Sequence, residues 1–484
     1  MAATLACAAS LASNVGCSSD SAEEEQGCDA TPDVPCTVFV SPAGNDGNRG
    51  TQAHPVRSLK AALEIAKKGH TISLSDGTYS EANGEVWPRG VPDAVTIEGT
   101  GRTVLSGIGN DCLHFRGGGE IRGIAFESCP FAVRAYAGSF RATSVKVNGG
   151  GMWFVENVDA VLNDVTIENV QGTALGVEDE ARLSLSNATL RGTVASDTAT
   201  GSCANGMEVR KKARATLTNV TFTDFGYTGI VVANDSSATL TNVTVSQTAP
   251  SAACKDPTIQ VFVLDRASMI IEDSTISGTA DPNVHDHGIW VNGESAMVQM
   301  RRSTLKNVYD CVEASGRFEA EDSAFEGCIK QGIAFVAKTV TSKLNRVTIS
   351  MTSTNSYAVL GAVGSSAAIS ESTISTRSGG IRALEESRLS LRKSTVESRE
   401  AHAIEAHSSM ANLGTATAPG LNRILGDSSI FVGDSVRLDA AGNTWHPNVQ
   451  GTNADGSHAP GLVRYEDVSG GKNFFLSGNA SIQF

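Results

Sequence analysis

The chain copies itself, and that constrains its fold more than any other feature. Ten segments recur from residue 162 onward: "LNDVTI", "LSNATL", "LTNVTF", "LTNVTV", "IEDSTI", "MRRSTL", "AEDSAF", "LNRVTI", "ISESTI" and "LRKSTV". Their third residues are Asp164, Asn187, Asn219, Asn242, Asp273, Arg302, Asp322, Arg346, Glu371 and Lys393. The steps between these are 23, 32, 23, 31, 29, 20, 24, 25 and 22 residues. A base period of 22–24 therefore runs through the chain, lengthened by insertions in three turns. A second motif precedes the next copy by about ten residues: "ANGMEV", "YTGIVV", "DHGIWV", "KQGIAFV", "SGGIRAL".

Both motifs alternate apolar and polar residues with period two, and Gly, Asn, Asp and Ser separate them. Each repeat thus reads as two short strands. Stacking each coil on the last, about 4.8 Å apart, pairs the backbone and buries the apolar face. No helical pattern of 10–15 residues interrupts the repeats. Aromatics are only 5% of the chain, which fits a narrow core of small and β-branched side chains. The expected fold is all-β: a right-handed parallel β-helix, a single-stranded solenoid of about a dozen coils.

A solenoid must close its ends. In "TVFVSPAGNDGNRGTQAHPVRSLKAALEIAKKGHTISLSDGTYSE", Ser58 can cap a helix with Leu59, Ala62, Leu63 and Ala66 on one face, and Gly69 ends it. This helix is the expected N-terminal lid. The organisation that follows is a signal over 1–17, an acidic tether over 18–35, and a capping segment with the first coils over 36–107. The β-helix repeats span 108–425, and C-terminal coils with a cap span 426–484.

The strand "TVFV", the Gly/Asn/Asp loop after it, "HPVRSLKAAL" and "DGTYSEANGE" resemble the N-terminal part of a bacterial pectin-lyase-like family of unassigned function. "LGTATAPGLNRIL" and "AAGNTWHPNV" resemble that family's C-terminal end. The resemblance covers about 36 to 450. It implies the fold and leaves the activity open.

The opening "MAATLACAASLASNVGC" is short and apolar, and "SSDSAEEEQG" follows it. This resembles a lipoprotein signal with Cys17 as the lipidated residue, although no Lys or Arg precedes the apolar part and Asn14 stands where Leu is usual. Ordinary cleavage and Cys7 as acceptor stay open. An exported protein is expected, at the outer membrane or cell surface or secreted, touching a membrane only through a lipid. Setting aside Cys7 and Cys17, eight of the ten cysteines remain. Proximity pairs them as Cys28–Cys36, Cys112–Cys129, Cys203–Cys254 and Cys311–Cys328, one of 105 connectivities. An oxidising compartment is their precondition. The charge of 38 − 52 = −14 argues against a nucleic-acid partner. A monomer is expected.

Catalytic motifs of the pectinase fold match only in pieces. Polygalacturonases resemble the chain locally: "YDCVEA" offers Asp310, "DHGIWV" offers His287 and "GGIRAL" offers Arg382. Here, however, His287 precedes Asp310 by one coil, Tyr309 replaces the second aspartate and Leu384 replaces the lysine. Pectate lyases need a calcium cluster of acids beside an arginine. Arg301 and Arg302, with Asp265, Glu272 and Asp273 one coil back, match that loosely. "GNDGNRG" has loop ligands without regular acidic spacing, so it reads as a turn, with calcium as the alternative. No cofactor and no metal site is expected otherwise.

Two readings of "NVHDHG" compete. In one, His287, Arg301 and Glu313 are catalytic. In the other, Asp and His are ordinary turn residues and His287 is a surface imidazole. In "GIWV", Ile289 and Val291 face inward and Trp290 outward. The same outward row carries Glu208, Val231, Phe262, Trp290, Glu313, Ala334, Arg382 and Glu405. An exposed aromatic pair beside acids can stack on a sugar while the acids bind hydroxyls. Phe262, Trp290, Glu313 and Asp310 form the expected ligand site. The insertions "SDTATGSC", "APSAACKDP" and "TADPNVHDH" are expected at one mouth of that face, as binding loops or as cover for its aromatics. Trp153 reads as core or edge, and Trp87 and Trp445 as packing near the caps. The function expected is non-catalytic binding of a polysaccharide or another envelope component. A lyase or hydrolase of acidic polysaccharide and a structural or adhesive rod are the alternatives.

Overall fold

The computed structural model describes Cys28 and residues 36–445, apart from 171, 193–203, 249–257, 339–340, 355, 408 and 433–436. It also describes three short segments at 452–453, 474–476 and 481–483. The described chain is a right-handed parallel β-solenoid of about 14 turns, the fold expected from the repeats. The expected signal, tether and Cys17 lie outside the described residues.

Each coil contributes three short runs of strand rather than two. The first run makes one sheet, from Gly151–Phe154 through Thr173–Val177, Asn205–Val209, Thr228–Val232, Ile259–Leu264, His287–Asn292 and Asp310–Ala314 onward. The "LxNxTx" copy bends and makes the other two. It is continuous in Asp159–Val170, Arg182–Gly192, Arg214–Thr223 and Ser237–Ser246. Further on it splits, as in Ser268–Glu272 with Thr275–Ser277. Sequence alternation shows one strand here because the bend consumes a single residue.

That residue is the third of each copy. All ten, from Asp164 at φ 55° to Lys393 at φ 50°, adopt left-handed backbone. Asn and Asp tolerate that region best, which explains the early copies. Stacking then sets the identities. Asn187 Nδ2 donates to Asn163 Oδ1, Asn219 Nδ2 to Asn187 Oδ1 at 3.2 Å, and Asn242 Nδ2 to Asn219 Oδ1 at 2.7 Å. Further on the corner alternates sign: Arg302 binds Asp273 at 2.8 Å, Arg346 binds Asp322 at 2.6 Å, and Lys393 binds Glu371 at 3.3 Å. Like charges stacked one coil apart would repel, and alternation removes that cost.

Two more positions follow from the stack. The motif leucine is in register along Leu162, Leu185, Leu217, Leu240 and Ile271, all buried. The glycine of the Gly-Ile motif sits under the next coil. A Cβ on Gly288 would lie 2.6 Å from the Cys311 carbonyl oxygen, and Gly206, Gly229, Gly332 and Gly380 face equivalent oxygens at 2.2–2.5 Å.

At the N-terminal end the lid helix is Leu59–Ile65, with Leu59 and Ala62 buried and Ser58 accepting from the Ala61 amide. Asp46 accepts from the amides of Arg57 and Ser58, so this carboxylate of "GNDGNRG" serves the helix entrance. Glu85, unnoticed in the sequence, is buried and accepts from the amides of Leu59 and Lys60. Trp87 is buried nearby and donates to the Ser106 carbonyl. Trp445 lies in a short strand, and its side chain is outside the described residues. Disulfides join Cys28–Cys36, Cys112–Cys129 and Cys311–Cys328. The expected Cys203–Cys254 pair lies outside the described residues.

The corner makes a prediction. Asn219→Val should lower stability by about 2 kcal/mol, since a β-branched residue is costly in left-handed backbone and two amide bonds go with it. Asn219→Gly should cost about half as much, because only the bonds are lost. Urea unfolding midpoints check the ranking.

Candidate functional site

The first sheet presents an outward row set by register: Glu208, Val231, Phe262, Trp290, Glu313, Ala334, Leu360, Arg382 and Glu405. Leu360 corrects the expected row. Its strand Tyr357–Gly361 lacks the Gly-Ile signature, so the alternation alone passed over a coil. Ile289 and Val291 are fully buried and Trp290 is half-buried on the outside.

Phe262 and Trp290 stack with ring centroids 5.1 Å apart, and the His287 ring stacks on Trp290 at 5.4 Å. His287 opens the strand instead of sitting in the turn, and register places it against Asp310. Its side chain is only 14% exposed, which corrects the surface-imidazole reading. His287 Nδ1 lies 3.8 Å from Asp310 Oδ2, too far for a hydrogen bond. His287 Nδ1 and Asp310 Oδ1 are buried without a hydrogen-bond partner. Burial, then Lys330 and His285, holds the imidazole below its ordinary pKa, so it is neutral at pH 7. Burial pushes Asp310 up to about 6, with Glu313 adding to the rise and Lys330 opposing it. Burial likewise raises Glu313. The His287–Asp310 approach is therefore not an ion pair at neutral pH.

Several contributors escaped sequence reasoning. Asp286, the turn residue just before His287, is fully buried and accepts from the amides of Tyr309 and Thr279 at 2.6 and 3.2 Å. It fastens the inserted turn 278–286 to the coil above. Tyr309 carries His285 stacked at 4.3 Å and Lys330 Nζ at 5.4 Å from its ring. The signal for Asp286 was its position just ahead of a strand, which an ordinary turn residue shares.

Arg301 is not brought to this cluster. It ends Met297–Arg301 on the second sheet, between Glu272 at 3.4 Å and Glu321 at 3.9 Å. The acids of the expected lyase-like calcium cluster are engaged too. Asp273 binds Arg302, and Asp265 accepts from Asn234. Arg382 stands three rungs beyond Glu313, over the Tyr357 ring and 3.5 Å from Glu405. Of the expected insertions only the third is described. "SDTATGSC" and "APSAACKDP" lie outside the described residues.

Residues 154–349 match a family model described as a right handed beta helix region, and 42–249 match one described as a protein of unknown function (DUF1565). The uncharacterized protein YwoF of Bacillus subtilis (strain 168) is 46% identical over 44 residues, 9% of this chain and 9% of that relative's length. The crystal structure of pectate lyase Pel9A shares 13% identity at a TM-score of 0.41, covering 61% of this chain and 76% of that one. A catalytic domain of GH87 alpha-1,3-glucanase in complex with nigerose shares 13% at 0.39, over 86% and 70%. The Vag8–C1 inhibitor complex shares 13% at 0.39, over 87% and 94%. None of these likenesses bears on the chemistry of the site.

Asp310 gives the site a measurable signature. Its folded pKa of about 6 stands above the ordinary carboxylate value of 3.8, so between those pH values only the folded state keeps the proton. Stability from this group is present below pH 4 and is lost as pH rises through 6, by up to about 3 kcal/mol. Asp310→Asn should therefore be more stable than wild type at pH 7, with the gain vanishing toward pH 4. Chemical denaturation at both pH values checks the sign.

Proposed function

Taking as premise a right-handed parallel β-helix of the pectin-lyase-like kind, we propose that this chain is an extracytoplasmic, non-catalytic receptor for a neutral polysaccharide. The observation that carries the reading is the Phe262–Trp290 ring pair. It stands partly exposed on the outward row, with His287 against it and Asp310 and Glu313 on the next rung. Aromatic rings offer C–H-compatible surface to a sugar, and adjacent carboxyls accept from its hydroxyls. Asp310, with its pKa near 6, is mostly ionised at pH 7 in a site where burial already disfavours charge, so a uronate carboxylate beside it would add like charge. That argues for a neutral glycan. Disulfides at three sites support placement outside the cytoplasm. A lipid anchor at Cys17 fits the same placement.

A second reading rests on one observation. A carboxyl that keeps its proton to about pH 6 beside another carboxyl suits a general acid, so hydrolysis or lyase chemistry at Asp310 and Glu313 is the alternative. Arg301 has no part in either reading.

One measurement separates the two. Binding to an array of neutral and acidic glycans, with reducing ends and unsaturated products monitored, should show retention of a neutral glycan without turnover. Trp290→Ala should weaken that binding about tenfold or more, the loss expected for one stacked ring in a sugar site. Product release that His287→Ala or Asp310→Asn abolishes would overturn the non-catalytic reading. Unchanged binding in Trp290→Ala would remove the site.

A further inference from the structure

The same sheet carries a second aromatic surface toward its N-terminal end. Trp153 lies on the outward row in register with Arg134 below and Gly176 above. Its six-membered ring lies over Gly176: a Cβ there would stand 2.3 Å from indole Cδ2 and Cε3 and 2.6 Å from Cζ3. The absent side chain is what lets the indole lie down on the sheet. Phe131 braces it edge-on with centroids 5.4 Å apart, and the Arg134 guanidinium packs over Phe131 at 4.1 Å. Asp111 holds Arg134 at 2.6 Å and faces His114 at 3.3 Å. Trp153 stays half-buried, with outer surface exposed.

Polar groups lie on both sides of this ring along the row. Below it are Asp111, His114 and Arg134. Above Gly176, Glu208 accepts from Thr173 Oγ1 at 2.9 Å and Asn205 Nδ2 at 2.7 Å, and Arg210 lies 2.9 Å from it. Asn205 Oδ1 and Thr228 Oγ1, one rung apart, are buried without a hydrogen-bond partner. A flat ring whose charged neighbours pair with one another offers a sugar its face without a net charge beside it, which fits a neutral sugar.

Register fixes the separation. The row runs Trp153, Gly176, Glu208, Val231, Phe262, Trp290, five steps in all. At about 4.8 Å per step the two tryptophans stand about 24 Å apart along the solenoid axis. Glu208 and Val231 between them are buried, so the two rings are separate exposed patches on one face.

We infer that Trp153 is a second sugar-binding platform, and that the two platforms together select a linear neutral polysaccharide long enough to engage both. The inference rests on the proposed glycan reading of Trp290. Two weak sites joined by one polymer gain affinity through effective concentration, which short oligosaccharides cannot do.

The test uses the full chain with linear neutral glucans, xylans and mannans, each as polymer and as oligosaccharides too short to bridge 24 Å. The polymer that binds should do so ~100-fold more tightly than its short fragments. Trp153→Ala and Gly176→Ala should each reduce polymer affinity ~10-fold or more while leaving fragment binding at Trp290 within about twofold. Gly176→Ala removes no aromatic group and needs no unusual backbone; it only lifts the indole, so agreement of the two variants separates platform loss from misfolding. Polymer affinity unchanged in both variants, while Trp290→Ala weakens it, would overturn the second platform and spare the first. Absence of binding to every glycan would overturn both.

Discussion

Everything in this molecule depends on the parallel backbone ladder that stacks each coil on the one before. The ladder fixes the spacing of equivalent residues at one strand separation. Any side chain then meets its own counterpart from the coils on either side. Positions in the repeat are thereby solved as columns. Leu and Ile fill the inner column, and threonines at 166, 189, 221, 244 and 275 form an outer one. Glycine recurs in one column, at Gly206, Gly229, Gly288, Gly332 and Gly380, wherever the next coil's carbonyl would come within 2.2–2.6 Å of a Cβ. At the left-handed corner the solution changes along the axis, from amides that bond each other to charges that alternate.

The columns also separate structure from function. On the second sheet, outward charges find partners in adjacent coils: Arg301 with Glu272 and Glu321, Arg346 with Glu321 and Asp322. Such exposed pairs are worth little each, but they leave those carboxylates occupied. The first sheet pairs its outward charges too, Arg134 with Asp111 and Arg382 with Glu405, but not around Trp290. Its outward row places Trp290 between Phe262 and Glu313, and its neighbouring row places His287 against Asp310 with no hydrogen bond between them. A column left unsolved in this way costs stability, as the raised Asp310 shows.

Fold and register were largely legible in the sequence because the ladder writes itself as a period. The copies from Asp164 to Lys393 gave the coils, and the Gly-Ile motif gave the inward Ile289 and Val291 and the outward Trp290. The helix cap at Ser58 was legible too. What escaped was whatever depends on burial. A histidine beside an aspartate reads as a turn, and only the three-dimensional register shows His287 sheltered under Trp290 and Asp286 tied to the next coil. Arg301 looked close in sequence to His287, yet the turn between them places it on another sheet. Leu360 was missed because its strand, "YAVLG", has neither the Gly-Ile motif nor a polar or aromatic residue in the outward place. Trp153 read as core or edge, and nothing in "GGGMWFV" signals that Gly176, one coil later, leaves room for its ring.

The last point generalises within this chain. An outward aromatic residue can only lie flat on a parallel sheet if its column neighbour is small, since a side chain one rung away would hold the ring upright. Trp153 has Gly176 in that place and lies down. Trp290 has Phe262 on one side and Glu313 on the other and stacks upright against Phe262 instead. The same residue type in the same column thus presents two different surfaces, a ring face at Trp153 and a ring stack bordered by carboxyls at Trp290. The identity of the neighbour one coil away, not the aromatic residue itself, decides which kind of contact the face can make.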